Sequence, residues 1–333
     1  MTRHVFQCLD GHACGNPVRL ITGPLPFLKG ADMAEKRADF MAHHDWIRRS
    51  LMFEPRGHDM MSGAMFYPPC SEDADASILF IETSGCLPMC GHGTIGALTM
   101  ALENGVFTPA DRHHVKLDAP AGRIEAEIDW QGDRVAGVRI RNIASYLAVT
   151  GLMLDIPGWQ AITVDIAYGG NFYAIIEPQP GYSDLDEMSV ADILRLSPLI
   201  RAAANAAVTL SHPDDPRVGG VSHALWTGRP RDPRAQARNA VFYGERAIDR
   251  SPCGTGTSAR MAQLAARGEL RPGDAFIHES LIGSLFEGKV EAATTVGGHA
   301  AIIPSIKGWA IQTGINTIWV DDRDPYAGGF TVG

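Results

Sequence analysis

Two short stretches decide how the rest of the sequence is interpreted: Cys90-Gly91-His92-Gly93-Thr94 and Cys253-Gly254-Thr255-Gly256-Thr257. Both follow the pattern Cys-Gly-x-Gly-Thr. Each opens a helix-like run that ends at a glycine the same distance further on, Gly105 in one case and Gly268 in the other. A glycine directly after a helix is the usual left-handed cap. The sequence therefore predicts two matched helices, each beginning at a cysteine.

A second pair of features recurs upstream in the same order. Asp10 precedes Gly15-Asn16 with the same spacing at which Asp165 precedes Gly170-Asn171. Two recurrences in one order indicate duplicated halves related by a pseudo-twofold. The alternative is a chance similarity between short glycine-rich strings.

The two predicted helices differ from ordinary surface helices. Residues 95–102 are apolar nearly all round, and residues 259–266 are small and apolar on most faces. Such helices are buried. Since the rest of the sequence predicts many short strands and few helices, we expect an α+β fold with largely antiparallel or mixed sheets. Each half is then a curved sheet around one central helix.

The halves are expected to comprise residues 1–145 with 306–333 and residues 146–305. Alternating and apolar runs predict the strands, and charged runs with spaced apolar residues predict the surface helices. The sequence predicts strands at 4–9, 18–21, 78–81, 161–164, 172–176 and 239–243, a hairpin over 123–141, a loop over 10–17, helices over 32–49 and 189–204, and two strands around Gly314.

The charge of the chain limits its partners. A net charge of -9 over 333 residues argues against nucleic acid or an anionic membrane, because either needs a basic surface. The first residues lack the apolar segment of a signal peptide, and no run approaches the roughly 18 apolar residues of a membrane span. We expect a cytoplasmic enzyme whose six cysteines are reduced. Whether the chain forms a homodimer is left open.

The two helix starts define a chemistry. A helix N-terminus offers unpaired N–H groups and about half a positive charge, so two of them bind a carboxylate well. The same field lowers the pKa of a thiol. A thiolate and a thiol on opposite sides of one carbon are the base and the acid that inversion requires. Cys90 and Cys253 are therefore the candidate catalytic pair.

Other interpretations of these residues fit the sequence less well. The repeated string lacks the Gly-Lys-Ser/Thr ending of a phosphate-binding P-loop and the Rossmann glycine pattern. A zinc site at Cys86, Cys90 and His92 lacks a second ligand pair at suitable spacing, so no metal is expected. A single cysteine is more often a buried hydrophobe, but two in matched contexts favour catalysis. Cys8, Cys14, Cys70 and Cys86 have no matched partner and are interpreted as structural.

The segments Met89–Ile95 and Asp249–Gly256 resemble the two signatures of the proline racemase family, complete and in order. The resemblance covers the whole chain, including Asp10-Gly11-His12 and Gly15-Asn16-Pro17. Within the family the chain is most similar to the bacterial 4-hydroxyproline 2-epimerases, through the runs Ile81–Pro88 and Ser222–Gly228.

The resemblance implies a diaminopimelate-epimerase-like fold of two α/β domains and an active site without pyridoxal phosphate, metal or nucleotide. It implies that Cys90 and Cys253 are the acid–base pair and that a small-molecule substrate, hydroxyproline or proline, is bound. It further implies binding roles for six residues: backbone N–H groups of Gly91, His92, Gly254 and Thr255 for the carboxylate, Asp249 for the ammonium, and the His92 and His223 side chains for the ring nitrogen or hydroxyl.

Several functions are consistent with the sequence. The first is epimerisation of trans-4-hydroxy-L-proline to cis-4-hydroxy-D-proline, and the nearest rival is racemisation of proline. The related trans-3-hydroxyproline dehydratases carry threonine at the position of Cys253, so the second thiol favours inversion over dehydration. For Asp249 a turn aspartate, and for His223 a structural strand-end histidine, are the alternatives. A carboxylate- or phosphate-binding module is the non-enzymatic alternative.

Overall fold

The computed structural model describes residues 3–332, apart from the side chain of Arg217. The chain divides into two compact units, unit 1 (Met1–Ile140 with Gly308–Gly333) and unit 2 (Arg141–Lys307). The boundaries predicted from the sequence, 145/146 and 305/306, lie a few residues from these. Within residues 3–332, no helix is both long enough and apolar enough to cross a membrane.

Unit 1 is built on a mixed sheet. Its elements are β1 (Arg3–Ala13), β2 (Asn16–Gly23), α1 (Met33–His43), α2 (Asp45–Met52), β3 (Ser62–Tyr67), β4 (Ala76–Glu82), β5 (Gly85–Leu87), α3 (Gly91–Glu103), β6 (His114–Ala119), β7 (Gly122–Gln131), β8 (Arg134–Arg141) and, from the far end of the chain, β20 (Ala310–Asp321). Strand β1 pairs antiparallel with both β2 and β20. The order continues with β2–β3 parallel, β3–β4 antiparallel, β4–β5 antiparallel, β4–β6 parallel and β6–β7 antiparallel.

Unit 2 has its own set of elements. They are β9 (Ser145–Asp155), β10 (Ala161–Tyr168), β11 (Phe172–Ile176), a short 3-10 helix (Leu185–Glu187), α4 (Val190–Ala207), β12 (Ser211–His212), β13 (Asp215–Gly219), β14 (Val221–Gly228), β15 (Ala237–Tyr243), β16 (Ala247–Ile248), α5 (Gly254–Ala266), β17 (Ala275–Glu279), β18 (Leu285–Val296) and β19 (His299–Gly308).

The pairing order of unit 1 recurs in unit 2. Strand β10 pairs antiparallel with both β11 and β9, as β1 does with β2 and β20. The series then runs β11–β14 parallel, β14–β15 antiparallel, β15–β16 antiparallel, β15–β17 parallel and β17–β18 antiparallel. Helix α5 follows β16 as α3 follows β5. The expectation of two equivalent α+β halves with mixed sheets is therefore confirmed.

Each unit has one central helix, as predicted. Helix α3 is buried from Gly91 to Ala101 and α5 from Gly254 to Leu264. Glycines with left-handed backbones follow them, Gly105 with φ 63° and Gly268 with φ 78°. Helix α3 packs against β1, β2, β3 and β20, and α5 packs against β9, β10, β11 and β18, so the starting points of both helices are held firmly.

The matched aspartates lie at matched places. The Asp10 carboxylate accepts from Arg19 Nε at 2.7 Å and Nη2 at 2.8 Å. The Asp165 carboxylate accepts from Gln263 and Arg267, each at 2.7 Å. Both aspartates therefore anchor the start of their unit by buried or half-buried ion pairs. The repeat spacing of these residues reflects structure.

Three element predictions were wrong. Strand β1 continues to Ala13, so most of the predicted loop over 10–17 is strand, with the turn confined to Cys14 and Gly15, which have positive φ. The helix predicted over 32–49 is two helices broken at His44. The two strands predicted around Gly314 are one strand, β20, whose pairing with β1 skips Thr313 in a β-bulge. A bulge preserves the ladder while leaving one residue unpaired.

A close backbone contact in unit 2 predicts a stability effect. A Cβ added at Gly169 would lie against Thr255 O and 2.5 Å from Ala259 N, both in the main chain of α5. We expect Gly169→Ala to lower the free energy of unfolding by about 1–3 kcal/mol, since α5 must shift. Urea denaturation measures this. The matched control is Gly314→Ala, whose added Cβ meets no heavy atom within 4 Å among the described neighbours. Equal stability of the two variants would contradict the prediction.

Candidate active site

Cys90 is the N-cap of α3, and its sulfur is part of the cap. Its Sγ accepts the Gly93 N–H at 3.3 Å, which satisfies one of the donors at the start of the helix. A Cβ at position 93 would lie 2.8 Å from this sulfur, so the third residue of the helix has to be glycine. The Cys-Gly-x-Gly pattern is thus explained locally by a sulfur lying over the first turn.

A buried carboxyl group lies beside Cys90. The thiol donates to Glu82 Oε1 at 3.2 Å, and Glu82 is 2% exposed. Ser62 donates to Oε1 and Ser84 to Oε2, each at 3.1 Å. The Glu82 side chain is held from three sides, and this fixes the position of its carboxyl oxygens relative to the sulfur.

His92 occupies the second position of α3, and its ring is fixed by neighbours in unit 1. Its Nε2 lies 2.9 Å from Asn16 Nδ2 and 2.9 Å from Ser62 Oγ. The ring is buried, and its nitrogens lie 3.7 and 3.8 Å from the Cys90 sulfur. The structure therefore places His92 beside the predicted catalytic thiol. A contact of this ring with the substrate remains a prediction.

Glu82, Cys90 and His92 bring three groups of metal-ligating type within 4.8 Å of one another. The thiol donates to the carboxylate, and His92 Nε2 lies at hydrogen-bond distance from Ser62 Oγ and Asn16 Nδ2. We assign no metal to them. The expectation that the protein needs no metal remains a prediction.

Cys253 precedes α5, but its backbone differs from that of Cys90. Its φ is 63°, a left-handed conformation that a residue with a Cβ adopts at a cost of roughly 1–3 kcal/mol. The Tyr173 hydroxyl lies 3.4 Å from Sγ and the Thr255 hydroxyl 3.8 Å from it. Tyr173 and Thr255 are themselves 2.6 Å apart. Such strain is often found at functional sites, where the surrounding structure holds it in place.

The environment of Cys253 changes one expectation. Burial raises the pKa of this thiol to about 12, and the negative charge of Asp249 acts in the same direction. The hydroxyls of Tyr173 and Thr255 and the N–H of Gly256 act the other way without reversing the shift. The expected lowering of the thiol pKa by the helix terminus is therefore outweighed at Cys253 by the loss of hydration.

Asp249 is 3% exposed and lies four residues before Cys253. Its Oδ1 accepts from the Ser251 N–H and hydroxyl, both at 2.8 Å, and the Ser251 hydroxyl accepts the Cys253 N–H at 3.2 Å. The segment before α5 is thus folded around this carboxylate. These contacts agree with the turn-aspartate alternative.

His223 lies on β14 against Tyr173, with ring centroids 4.6 Å apart, and Tyr243 stacks at 6.2 Å. Loss of hydration, with a smaller effect of the Arg201 guanidinium, lowers the pKa of His223 to about 3. The ring is therefore neutral at pH 7. A neutral imidazole has one donor and one acceptor nitrogen, and Nδ1 of His223 lies 2.8 Å from the Ser222 hydroxyl oxygen.

The four predicted carboxylate donors lie at the helix starts. Gly91 and His92 come before Thr94, whose N–H makes the bond to Cys90 O at 2.9 Å. Gly254 and Thr255 come before Thr257, whose N–H bonds Cys253 O at 2.7 Å. The N–H groups of the first helical turn have no carbonyl of their own helix to bond, so they suit an anion.

The structure groups the predicted residues within their units. In unit 1 it brings together Cys90, Gly91 and His92, and in unit 2 it brings together Cys253, Gly254, Thr255, Asp249 and, through Tyr173, His223. Sequence reasoning missed Ser62, Tyr173 and Tyr243 and assigned no role to Glu82 or Asn16. Two sequence features could have indicated these residues. The repeated Gly-Asn pair contains Asn16, and Glu82 lies only eight residues before Cys90.

Comparison with known proteins gives the family. Residues 8–331 match the proline racemase family. A 4-hydroxyproline epimerase of Brucella ovis is 58% identical over 332 residues, covering 100% of both chains. A crystal structure of a hydroxyproline epimerase from Agrobacterium vitis with bound trans-4-hydroxy-L-proline has a TM-score of 0.88 and 28% identity, covering 100% of this chain and 96% of that one.

A more distant likeness concerns the fold alone. The PhzF-family phenazine biosynthesis protein of Bacillus anthracis superposes with a TM-score of 0.61 at 14% identity, over 95% of this chain and 99% of that one. The diaminopimelate-epimerase-like fold predicted from the resemblance is confirmed. The duplicated topology, the two cysteine-led helices and the full-length match together show that this chain belongs to the proline racemase family.

Proposed function

We propose that this chain catalyses the cofactor-independent epimerisation of trans-4-hydroxy-L-proline to cis-4-hydroxy-D-proline at Cα. The observation that carries the proposal is the pair of cysteines, Cys90 and Cys253, each directly before a buried helix in equivalent units. The full-length identity of 58% to a 4-hydroxyproline epimerase supports the same reaction and substrate.

In the proposed mechanism Cys90 and Cys253 lie on opposite sides of the substrate Cα. One cysteine, as thiolate, removes the α-proton, and the other, as thiol, delivers a proton to the opposite face. The reverse reaction exchanges the two roles. This two-base arrangement inverts the carbon without a cofactor, because no electron sink beyond the carboxylate is used.

The weak acidity of the α-proton sets the main energetic demand. The N–H groups of Gly91, His92, Gly254 and Thr255 are proposed to bind the carboxylate, where negative charge builds up as the proton leaves. Loss of one such donor from comparable oxyanion sites costs about 3–4 kcal/mol. Buried surroundings strengthen each of these bonds, because water does not compete for them.

Asp249 is proposed to bind the substrate ammonium. Its charge raises the pKa of Cys253, so an ammonium group at Asp249 removes one cause of that shift. Substrate binding then lowers the pKa of Cys253 from its raised value, while the effect of burial, the largest cause of the shift, remains. His92 and His223 are proposed to contact the ring nitrogen or the hydroxyl, and the neutral His223 is suited to a hydroxyl partner.

The proposal includes the wider setting of the enzyme. Its substrate is a small amino acid, and we propose a cytoplasmic location and a homodimer. The net charge of -9 supports the absence of nucleic-acid and anionic-membrane partners.

The test of function offers trans-4-hydroxy-L-proline, L-proline and trans-3-hydroxy-L-proline in parallel, without added cofactor. Chiral chromatography is expected to show cis-4-hydroxy-D-proline and the highest kcat/KM with the first substrate. A higher kcat/KM with proline would make the chain a proline racemase. A dehydrated, imine-type product alone would overturn the proposal. Binding without Cα–proton exchange in deuterated water would indicate a binding module.

The proposed roles of the two cysteines predict that replacing either one lowers the epimerase activity. We expect Cys90→Ser and Cys253→Ser each to lower kcat for epimerisation by roughly 10²–10⁴-fold, because a hydroxyl is a far weaker acid than a thiol and its conjugate base is not populated near neutral pH. Product formation by chiral chromatography measures the effect. Cys70→Ser, which changes a partly exposed cysteine on unit 1, is the control and should keep wild-type activity. Full activity in either catalytic variant would contradict the mechanism.

The role of Asp249 predicts a binding defect. We expect Asp249→Asn to raise KM for hydroxyproline by roughly 10–100-fold, since a hydrogen bond between charged groups is lost in a buried place. Steady-state kinetics give the value. Asp155→Asn removes an equal charge from an exposed position on β9 and is expected to leave KM unchanged. An unchanged KM in Asp249→Asn would support the turn-aspartate alternative.

A further inference from the structure

The two cysteines have unlike neighbours, although the units around them are equivalent. Glu82, which is 2% exposed, lies with Oε1 3.2 Å from the Cys90 sulfur. Glu82 is the last residue of β4, and the last residue of the corresponding strand β15 is Tyr243. In unit 2 the hydroxyls of Tyr173 and Thr255 lie 3.4 and 3.8 Å from the sulfur of Cys253.

These neighbours favour different forms of the two sulfurs. A carboxylate accepts a hydrogen bond from a thiol but repels a thiolate, whereas a hydroxyl donates a hydrogen bond to a thiolate. The Gly93 N–H also bonds the Cys90 sulfur and favours its thiolate. However, a full charge at 3.2 Å in a buried place acts more strongly than one N–H dipole.

Other charged groups around Glu82 and Cys90 do not reverse this balance. The Arg48 guanidinium of α2 donates to the main-chain oxygen of Glu82 at 2.9 Å, and it is paired with Asp45 at 2.6 Å. His92 of α3 lies with Nε2 4.0 Å from Glu82 Oε1 and is bonded to Ser62. The Glu82 carboxyl oxygens are bonded to the neutral hydroxyls of Ser62 and Ser84.

Substrate binding widens the difference. In the proposed complex the ammonium group offsets the charge of Asp249, which is the acidic group acting on Cys253. Glu82 receives no such offset, because its oxygens are already held by Cys90, Ser62 and Ser84. The proton on Cys90 is thus held by a group whose charge the substrate does not offset.

We propose that Glu82 is a positioning residue that keeps the proton on Cys90, so that Cys90 enters the reaction as the acid when the substrate is bound. This inference rests on the proposed function. In the first half-reaction the Cys253 thiolate takes the Cα proton, and the Cys90 thiol gives its proton to the opposite face. Cys90 is then the thiolate and Cys253 the thiol. Glu82 favours return of a proton to Cys90 before the next turnover.

The test measures the thiolate of Cys90 directly. In a Cys253→Ser background, iodoacetamide alkylation of Cys90 is followed against pH, with the modified peptide identified by mass spectrometry. We expect Glu82→Gln to move the alkylation midpoint to lower pH by about one unit, which makes alkylation below the midpoint about tenfold faster. Glu82→Asp keeps the charge but withdraws it from the sulfur, so a smaller shift in the same direction is expected.

A control variant separates an effect of the Glu82 charge on Cys90 from an effect of Glu82 on packing. Glu125→Gln makes the same charge change at an exposed position on β7 and should leave the midpoint unchanged. If Glu82→Gln does not fold, by circular dichroism, Glu82→Asp alone decides. An unchanged or raised midpoint in the folded variants overturns the inference. Alkylation needs no turnover, so failure of the hydroxyproline assay in the wild-type enzyme would instead overturn the proposed function.

Discussion

The start of a buried helix at a cysteine is the constraint on which the structure depends. Burial leaves the first N–H groups of α3 and α5 without water, and they need partners other than their own carbonyls. At Cys90 the sulfur meets part of this need by accepting the Gly93 N–H. The glycine is required because a side chain there would meet the sulfur. Unpaired N–H groups at a buried helix start lower the stability of the fold, and the same groups can bind a carboxylate. The destabilising feature and the proposed binding site are therefore the same.

Duplication supplied the scaffold twice, but the two helix starts have diverged in chemistry. In unit 1 Glu82 and His92 lie beside the cysteine and Ser62 contacts both of them. In unit 2 Tyr173 and Thr255 lie beside the cysteine, and His223 packs on Tyr173. The backbones differ as well, since Cys253 has a left-handed φ and Cys90 an extended one. A reaction that inverts a carbon needs an acid on one face and a base on the other. Unlike neighbours give the two thiols unequal preferences for these forms, which two identical helix starts would lack.

Much of the fold could be predicted because its signals are local. Apolar residues on every face predict the burial of α3 and α5, and glycine caps predict where they end. The wrong element predictions arose where strand pairing in the tertiary structure overrides the local sequence pattern. Polar and glycine-containing residues 10–13 looked like a loop, yet they form strand because β2 and β20 pair with them on both sides. Likewise Gly314 looked like a break between strands, and pairing with β1 turned it into part of a bulge.

By itself the sequence determined that two cysteines begin matched helices, and with the family resemblance it determined that they are the acid–base pair. Both conclusions come from residues close together in the chain, where spacing and helix periodicity relate sequence directly to geometry. The neighbours of each sulfur were decided by tertiary structure alone. Ser62 reaches His92 across 30 residues and Tyr173 reaches Cys253 across 80, through parallel strand pairings that no local pattern encodes. Even Glu82, eight residues from Cys90, acquires its place only because β4 and β5 fold back against each other. A thiol's proton affinity depends on the charges and burial within a few ångströms of it, and those are set when distant strands meet.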